Sequence, residues 1–451
     1  MKVAGILPLT ALAAAFVLPE PEVFSQVAIE DHRADDASWW DKIPTKDSIV
    51  STLEDGIDSL SAGVETFVES IDRKFRDGFE QAFVNEEDED DDTIDIEIAD
   101  RPKHGHHHHS FNLTIYEIIS KSNHTKKFVE LVNEYDDIVD LLNSTTANYT
   151  LFVPVDSAFE HIPDDKKPSK EFVESVLKYH IGLGLYPAGR ILKTHTLPTA
   201  LNESWLGDKP QRLRTSVGLL SGIRVNFYSK VVVANVGAKN GVIHAVKSIL
   251  VPPPPVGREL SLLPSEFSTL LLAYEKTDFV KFIHGVKITG STVFAPSNDA
   301  FSKLGPRANA FLFNTEKGLK FLTALLKYQI VANTTLYSDA IYESEGEAEV
   351  DTSKHYHIDL PSLLGGKNIA VDVTKWGGFT KIKLNGWVPV VLQDGIAKNG
   401  VIQVVGRVPI PPHKHHKEEE NDGEIEVEDL IERLADYVDE EEDSKPELGD
   451  L

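Results

Sequence analysis

Residues Thr150 to Phe159 read TLFVPVDSAF, and Thr292 to Phe301 read TVFAPSNDAF. Each copy is followed by a tyrosine-centred box, VLKYHI at Val176 to Ile181 and LLKYQI at Leu325 to Ile330. AKNGVI comes next, beginning at Ala238 and again at Ala397. Different boxes recurring in one order mark an internal duplication, which fixes the organisation of the chain before any element is assigned. The two copies occupy residues 110–251 and 259–410, with a proline-rich connector at 252–258.

Within each copy the pattern turns from helical to extended. The openings IYEIISKSNHTKKFVELVNE and FSTLLLAYEKTDFVKFIHGV carry apolar residues at helical spacing. TLFV and TVFA, with Thr150, Phe152, Thr292 and Phe294, are short and densely apolar, as strands are. Pro154 and Pro296 lack an amide donor and are expected to end the ladder. Asp156 and Asn298 are expected to cap the helices that carry Phe159 and Phe301 into the core. Tyr179 and Tyr328 are expected to be buried at helix ends, just before His180 and Gln329. The last third of each copy is β-like, and the pairs Asn240-Gly241 and Asn399-Gly400 predict type I′ turns with positive φ at the glycine. The fold class is α+β, in two tandem copies.

These boxes together resemble the fasciclin family of secreted adhesion and matrix domains. TLFVPVDSAF and TVFAPSNDAF are similar to its first box, KYHI and KYQI to its central tyrosine-histidine box, and NGVIHAV and NGVIQVV to its last. The resemblance implies a wedge of β-strands flanked by helices. The N-terminal SWWDKIPTKDSIVSTLEDGIDSL, with the His-rich linker, looks like the fungal branch. Two departures carry information. His180 becomes Gln329 in the second copy, and His244 becomes Gln403. Losing catalytic histidines would leave that copy inert, whereas a buried histidine bonded to backbone is replaceable by glutamine, which also donates and accepts. The structural role is therefore expected. The aspartate-isoleucine pair that animal members are thought to offer to integrins falls at Asn235-Val236 and Asp394-Gly395. Neither copy keeps it and no Arg-Gly-Asp occurs, so integrin binding is not carried over.

The 451 residues are 41% apolar, enough for a core in each copy, but the net charge of -27 sets the ends apart. Glu86 to Asp92 are all acidic, and the chain after Glu418 is mostly acidic. Nucleic acid is not expected as a partner for such a charge, because the phosphate attraction that dominates that binding becomes repulsion. Residues 1–18 have the apolar run and small-residue ending of a secretory signal, and nothing later resembles a membrane span. Residues 19–85 are expected to form a helical segment, since Ile49, Leu53, Ile57, Leu60, Val64, Phe67, Ile71, Phe75, Phe79 and Phe83 keep the helical period. An acidic and His-rich linker at 86–109 and a His-rich, acidic tail at 411–451 are expected to be disordered, apart from a short helix bearing Ile425, Val427, Leu430, Ile431, Leu434 and Val438. Acid, His, unit, unit, His, acid is a nearly symmetric order.

Sequons at Asn112, Asn123, Asn143, Asn148, Asn202 and Asn333 agree with the secretory pathway as glycosylation sites. Cysteine is absent, which excludes thiol catalysis, and no nucleophile elbow, P-loop or zinc-protease motif occurs. No cofactor is implied and no enzyme is expected. His104, His106, His107, His108, His109, His413, His415 and His416 are candidate ligands for zinc, copper or nickel. Two functions follow as expectations. One is a secreted, non-enzymatic binding protein acting on protein or polysaccharide at the cell surface, wall, matrix or vacuole lumen. The other is a luminal metal or proton buffer that uses the His-rich and acidic segments.

Overall fold

The computed structural model describes residues 112–160, 168–218, 222–339, 355–376, 379–412 and 424–438. The first unit opens with helices α1 (Ile115–Lys121), α2 (Lys126–Val132) and α3 (Asp136–Asn143), followed by strand β1 (Tyr149–Pro154) and a 3-10 turn at Asp156–Phe159. Helix α4 (Lys170–Tyr179), strand β2 (Ile181–Leu183) and the short α5 (Ala188–Ile191) lead into β3 (Thr196–Glu203), β4 (Lys209–Gly218), β5 (Gly222–Val225), β6 (Ser229–Ala238) and β7 (Gly241–Val246). The seven strands close into a barrel in sequence order, with β1 and β7 paired in parallel and the other neighbours antiparallel. Residue alternation along β1 separates two cores. Leu151 and Val153 pack outward against Ile115, Phe128 and Leu142 of the helices. Phe152 points inward, to Tyr179, Leu197, Leu213 and Val246.

The second unit repeats this plan. It has α6 (Val256–Leu262), α7 (Pro264–Lys276), α8 (Phe279–His284), β8 (Ser291–Pro296), α9 (Asn298–Ser302), α10 (Pro306–Asn314), α11 (Glu316–Tyr328) and β9 (Ile330–Ala332). β10 (His355–Pro361), β11 (Asn368–Trp376), β12 (Phe379–Leu384), β13 (Val388–Ala397) and β14 (Gly400–Val405) follow, then α12 (Val427–Val438). Strand order is β10-β11-β12-β13-β14-β8-β9, with β14 and β8 parallel. A single bridge, Val331 to Ser362, joins the two ends of this order where the first unit closes fully.

Several sequence expectations need correction. The second unit begins at Val256 rather than Glu259, because Val256 and Leu260 of α6 already lie in its core. The stretch between the units is thus Pro252 to Pro255. The core also extends past Ile410: Leu430, Leu434 and Val438 of α12 are buried in it, so part of the tail belongs to the domain. The ladder runs one step past Pro154, where the Val155 amide donates to Val246 O at 3.1 Å. The residues expected as caps of their own helices are not: Val155 and Ser297 hold those positions. Phe301 is buried, while Phe159 is only half-buried.

The Asn-Gly turns also differ from expectation. The two-residue loop is Lys239-Asn240, since Ala238 pairs with Gly241, and Asn240 does not have positive φ. Gly241 has φ 158°, nearly extended. It is glycine because a Cβ there would stand 2.0 Å from Tyr149 O on the parallel strand β1. Gly400 repeats this, with Ser291 O of β8 at 2.2 Å.

Candidate functional site

The box residues build the units from within. Thr150 Oγ1 donates to Gly184 O at 2.7 Å and accepts from Tyr186 N at 2.9 Å, pinning the loop after β2. Thr292 does the same with Thr334 O and Leu336 N, each at 2.8 Å. Asp156 caps a helix other than its own: its Oδ1 accepts from Lys127 N in the first turn of α2 at 2.9 Å. Asn298 enters the ladder of α7, accepting from Thr269 N at 2.8 Å and donating to Ser265 O at 2.7 Å. Buried Asn240 accepts from Ile115 N at 2.8 Å and donates to Leu142 O and Ser144 O, so one side chain joins the start of α1 to the end of α3. Asn399 accepts from Val256 N at 2.9 Å in the same way. Tyr179 donates to Arg212 O at 2.9 Å and accepts from Asn226 Nδ2 at 2.9 Å. Tyr328 and Asn385 repeat that contact at 2.9 Å.

The histidines are neutral structural joints. His180 Nδ1 donates to Val176 O at 2.7 Å and Nε2 accepts from Leu250 N at 2.9 Å, which fixes the tautomer. His244 Nε2 donates to Tyr186 O at 2.9 Å, and its Nδ1 accepts from Asn235 N at 3.3 Å. Phe152 stacks on its ring at 5.3 Å. Burial pushes both imidazoles down to about 4, with the single bond to a backbone carbonyl opposing it in each case. Gln403 reproduces His244 bond for bond: it accepts from Asp394 N at 3.1 Å and donates to Leu336 O at 2.8 Å. The exchange at Gln329 is less complete. Counting from the paired AKNGVI boxes, Pro409 stands where Leu250 does, so the N–H that His180 accepts has no counterpart. Gln329 Nε2 is buried and has no hydrogen-bond partner among the described residues. Asn235 and Asp394, the positions of the integrin-type pair, are 3% and 1% exposed and turn inward from left-handed bulges at φ 65° and 61°. Neither is placed to meet a partner.

Sequence reasoning missed a polar seam between the units. Asp339, just after β9, accepts from His195 N at 3.0 Å and from Thr196 N and Oγ1 at 2.8 and 2.7 Å. Arg212 lies 3.8 Å from the same carboxylate and 4.7 Å over the Tyr337 ring. Ser338 Oγ donates to Asp394 and lies 3.0 Å from His195 Nδ1. Gln211 Nε2 donates to Ala397 O at 3.1 Å, and Arg214 Nε to Gln393 O at 2.9 Å. Burial pulls the Arg214 guanidinium down to about 10, against the attraction of Asp394. No local pattern announces such pairs, since Asp339 and Thr196 are 143 residues apart in the chain. Asp339→Ala leaves the His195 and Thr196 amides and the Thr196 hydroxyl without their acceptor, and Arg212 without the carboxylate beside it. The expected cost is about 2–4 kcal/mol, read as two melting transitions drawing apart in calorimetry, and an unchanged scan would show that the seam does not couple the units.

Asn112, Asn123, Asn148, Asn202 and Asn333 are exposed, and Asn143 is half-buried with its Oδ1 accepting from Thr114 Oγ1. The signal-like start, the N-terminal helical segment and all eight candidate metal histidines lie outside the described residues. Among the described residues, no helix is long and apolar enough to cross a membrane.

Two α+β units with closed or nearly closed sheets, repeating the same internal joints, define a tandem domain of one family. The fasciclin domain model matches residues 123–252 and 265–411, and the chain belongs to that family. It is 29% identical over 358 residues to aurofusarin biosynthesis cluster protein S of Gibberella zeae, covering 73% of this chain and 87% of that one. Stabilin-2 of Rattus norvegicus is 26% identical over 204 residues, which are 41% of this chain and 13% of the rat protein. Among solved structures, the FAS1 domain pair from the insect cell adhesion molecule fasciclin I covers 66% of this chain and 97% of its own, at 20% identity and a TM-score of 0.32.

Proposed function

We propose that the chain is a secreted, glycosylated, non-enzymatic binding protein whose two units present outer surfaces to a protein or polysaccharide at a cell surface, wall or matrix, or in the vacuole lumen. One observation carries this reading. The polar box residues spend their hydrogen bonds on backbone inside the units, so what each unit offers a partner is its exterior. The seam supports it by holding two such exteriors at one spacing.

The test uses the full chain beside a variant with all eight histidines of the two His-rich runs changed to asparagine. Attachment to cells, isolated wall material and candidate proteins is measured, together with zinc and copper uptake. Attachment is expected to be unchanged in the variant. Attachment lost with the histidines, alongside tight stoichiometric metal uptake by the parent chain, would establish the metal-buffer function instead. A truncated chain for this work must keep residues through Val438, because α12 completes the second core.

A further inference from the structure

Side chains alternate along β10. Tyr356, Ile358 and Leu360 turn to the second core, while His355, His357 and Asp359 are exposed on the opposite face. Register sets Asp372 of β11 across from His357, and Thr374 across from His355. His357 Nδ1 donates to Asp372 Oδ1 at 2.7 Å, a direction that the acceptor-only carboxylate fixes. In the neutral ring Nε2 then carries the lone pair. It lies 3.5 Å from Asp359 Oδ1, which is longer than a hydrogen bond between such atoms. The spacing fits a shared cation instead: two donors bound to one zinc ion at about 2.0–2.1 Å and the tetrahedral angle stand about 3.3–3.4 Å apart. A square-planar copper(II) centre sets neighbouring donors closer together.

We propose that His357 Nε2 and Asp359 bind a zinc ion on the outer face of β10, with His355 as the third protein ligand and water in the fourth position. Among the described residues no three such donors already converge, and His355 reaches the ion by turning its exposed ring. Asp372 is a positioning residue. By holding Nδ1–H it keeps the tautomer and ring orientation that aim Nε2 at the ion, as carboxylates behind metal-bound imidazoles do. Thr374 Oγ1, 3.1 Å from His355 Nδ1, stands in the same relation to His355. Lys383 and Lys381 of β12 lie in register beyond Asp372 and Thr374, so β11 separates the ion from that positive charge. The duplication shows that the fold does not ask for these side chains: β3 holds the equivalent place in the first unit and reads TLPTALNE, with neither histidine nor aspartate. A cross-strand pair of His357 with Asp372 would account for those two residues alone. It gives no reason for His355 and Asp359, two positions to either side on the same face.

The His-rich runs would mask a single site, so the test uses the full chain with those eight histidines changed to asparagine. Titration with zinc chloride against a colorimetric chelator is expected to show one saturable site per chain. His357→Asn or Asp359→Asn should abolish it, whereas His355→Asn should weaken it by about tenfold or more and Asp372→Asn by about 10–100-fold. His284→Asn, at an exposed histidine ending α8 of the same unit, should change nothing. Cobalt(II) in place of zinc should give the strong visible absorption of a tetrahedral centre, and His357→Asn should remove it. A chain with no saturable zinc site, a site that survives His357→Asn, a loss equalled by His284→Asn, or the weak spectrum of six-coordinate cobalt would each overturn the proposal.

Discussion

Gly400→Ala is expected to abolish cooperative folding of the second unit, and Gly241→Ala that of the first. The added methyl would sit 2.2 Å from Ser291 O in one case and 2.0 Å from Tyr149 O in the other. Both obstacles are backbone of the parallel partner strand, which cannot rotate away, and that strand pair joins the first and last strands of each unit. The expected loss is on the order of 4–5 kcal/mol or more per unit, a large share of a domain's stability. Gly366 is the control, because it has φ 73° and nothing lies within 4 Å of where a Cβ would stand, so alanine there costs only the left-handed backbone penalty of about 1–2 kcal/mol. Asparagine separates the causes. It tolerates the left-handed region, so a turn that needed only positive φ would accept Gly400→Asn, whereas the close approach rejects it as firmly as alanine. Single-unit melting of Gly400→Asn at the parental temperature would refute the close-approach account.

That pair of glycines shows what the sequence carried and what it did not. The Asn-Gly dipeptide is a local sign of a hairpin, and a hairpin stands there between β6 and β7 and between β13 and β14. Its reason is not local: Tyr149 and Gly241 meet only when β1 adds in parallel. The asparagine is similar, since the backbone that Asn240 holds at Ile115 is 125 residues away. Apolar periodicity fixed α12 because a helix face repeats within a few residues, but nothing in that period says which core receives it. The duplication supplied long-range information of another kind. Comparing the copies gave the exchange of histidine for glutamine, and Gln403 fits it bond for bond. The seam is contact between the copies rather than a feature of either, so comparing them could not reveal it.

The same exchange sets an acid limit on one unit and spares the other. In the unfolded chain His180 and His244 titrate near the ordinary value of about 6.5. In the folded chain burial holds both near about 4, so between these values the unfolded state binds more protons and stability rises with pH. Their contribution is complete above pH 6.5 and is lost as pH falls towards 4. Each histidine accounts for about 3 kcal/mol over that window, so the pair places a load of about 6 kcal/mol on the first unit. Gln329 and Gln403 do not titrate, and the second unit escapes this load. His357 has the opposite sign: its bond to Asp372 raises its pKa, adding stability below the ordinary value that is lost as pH rises, and its exposure keeps the effect small. On acidification from pH 7 to pH 4.5, the first unit is therefore expected to unfold before the second, seen as early loss of exchange protection in β1, β7 and α4. His180→Gln with His244→Gln should flatten that dependence, since glutamine can donate to Val176 O and Tyr186 O while accepting from Leu250 N and Asn235 N. A double variant whose first unit still fails across the same pH window would show that other groups set the acid limit.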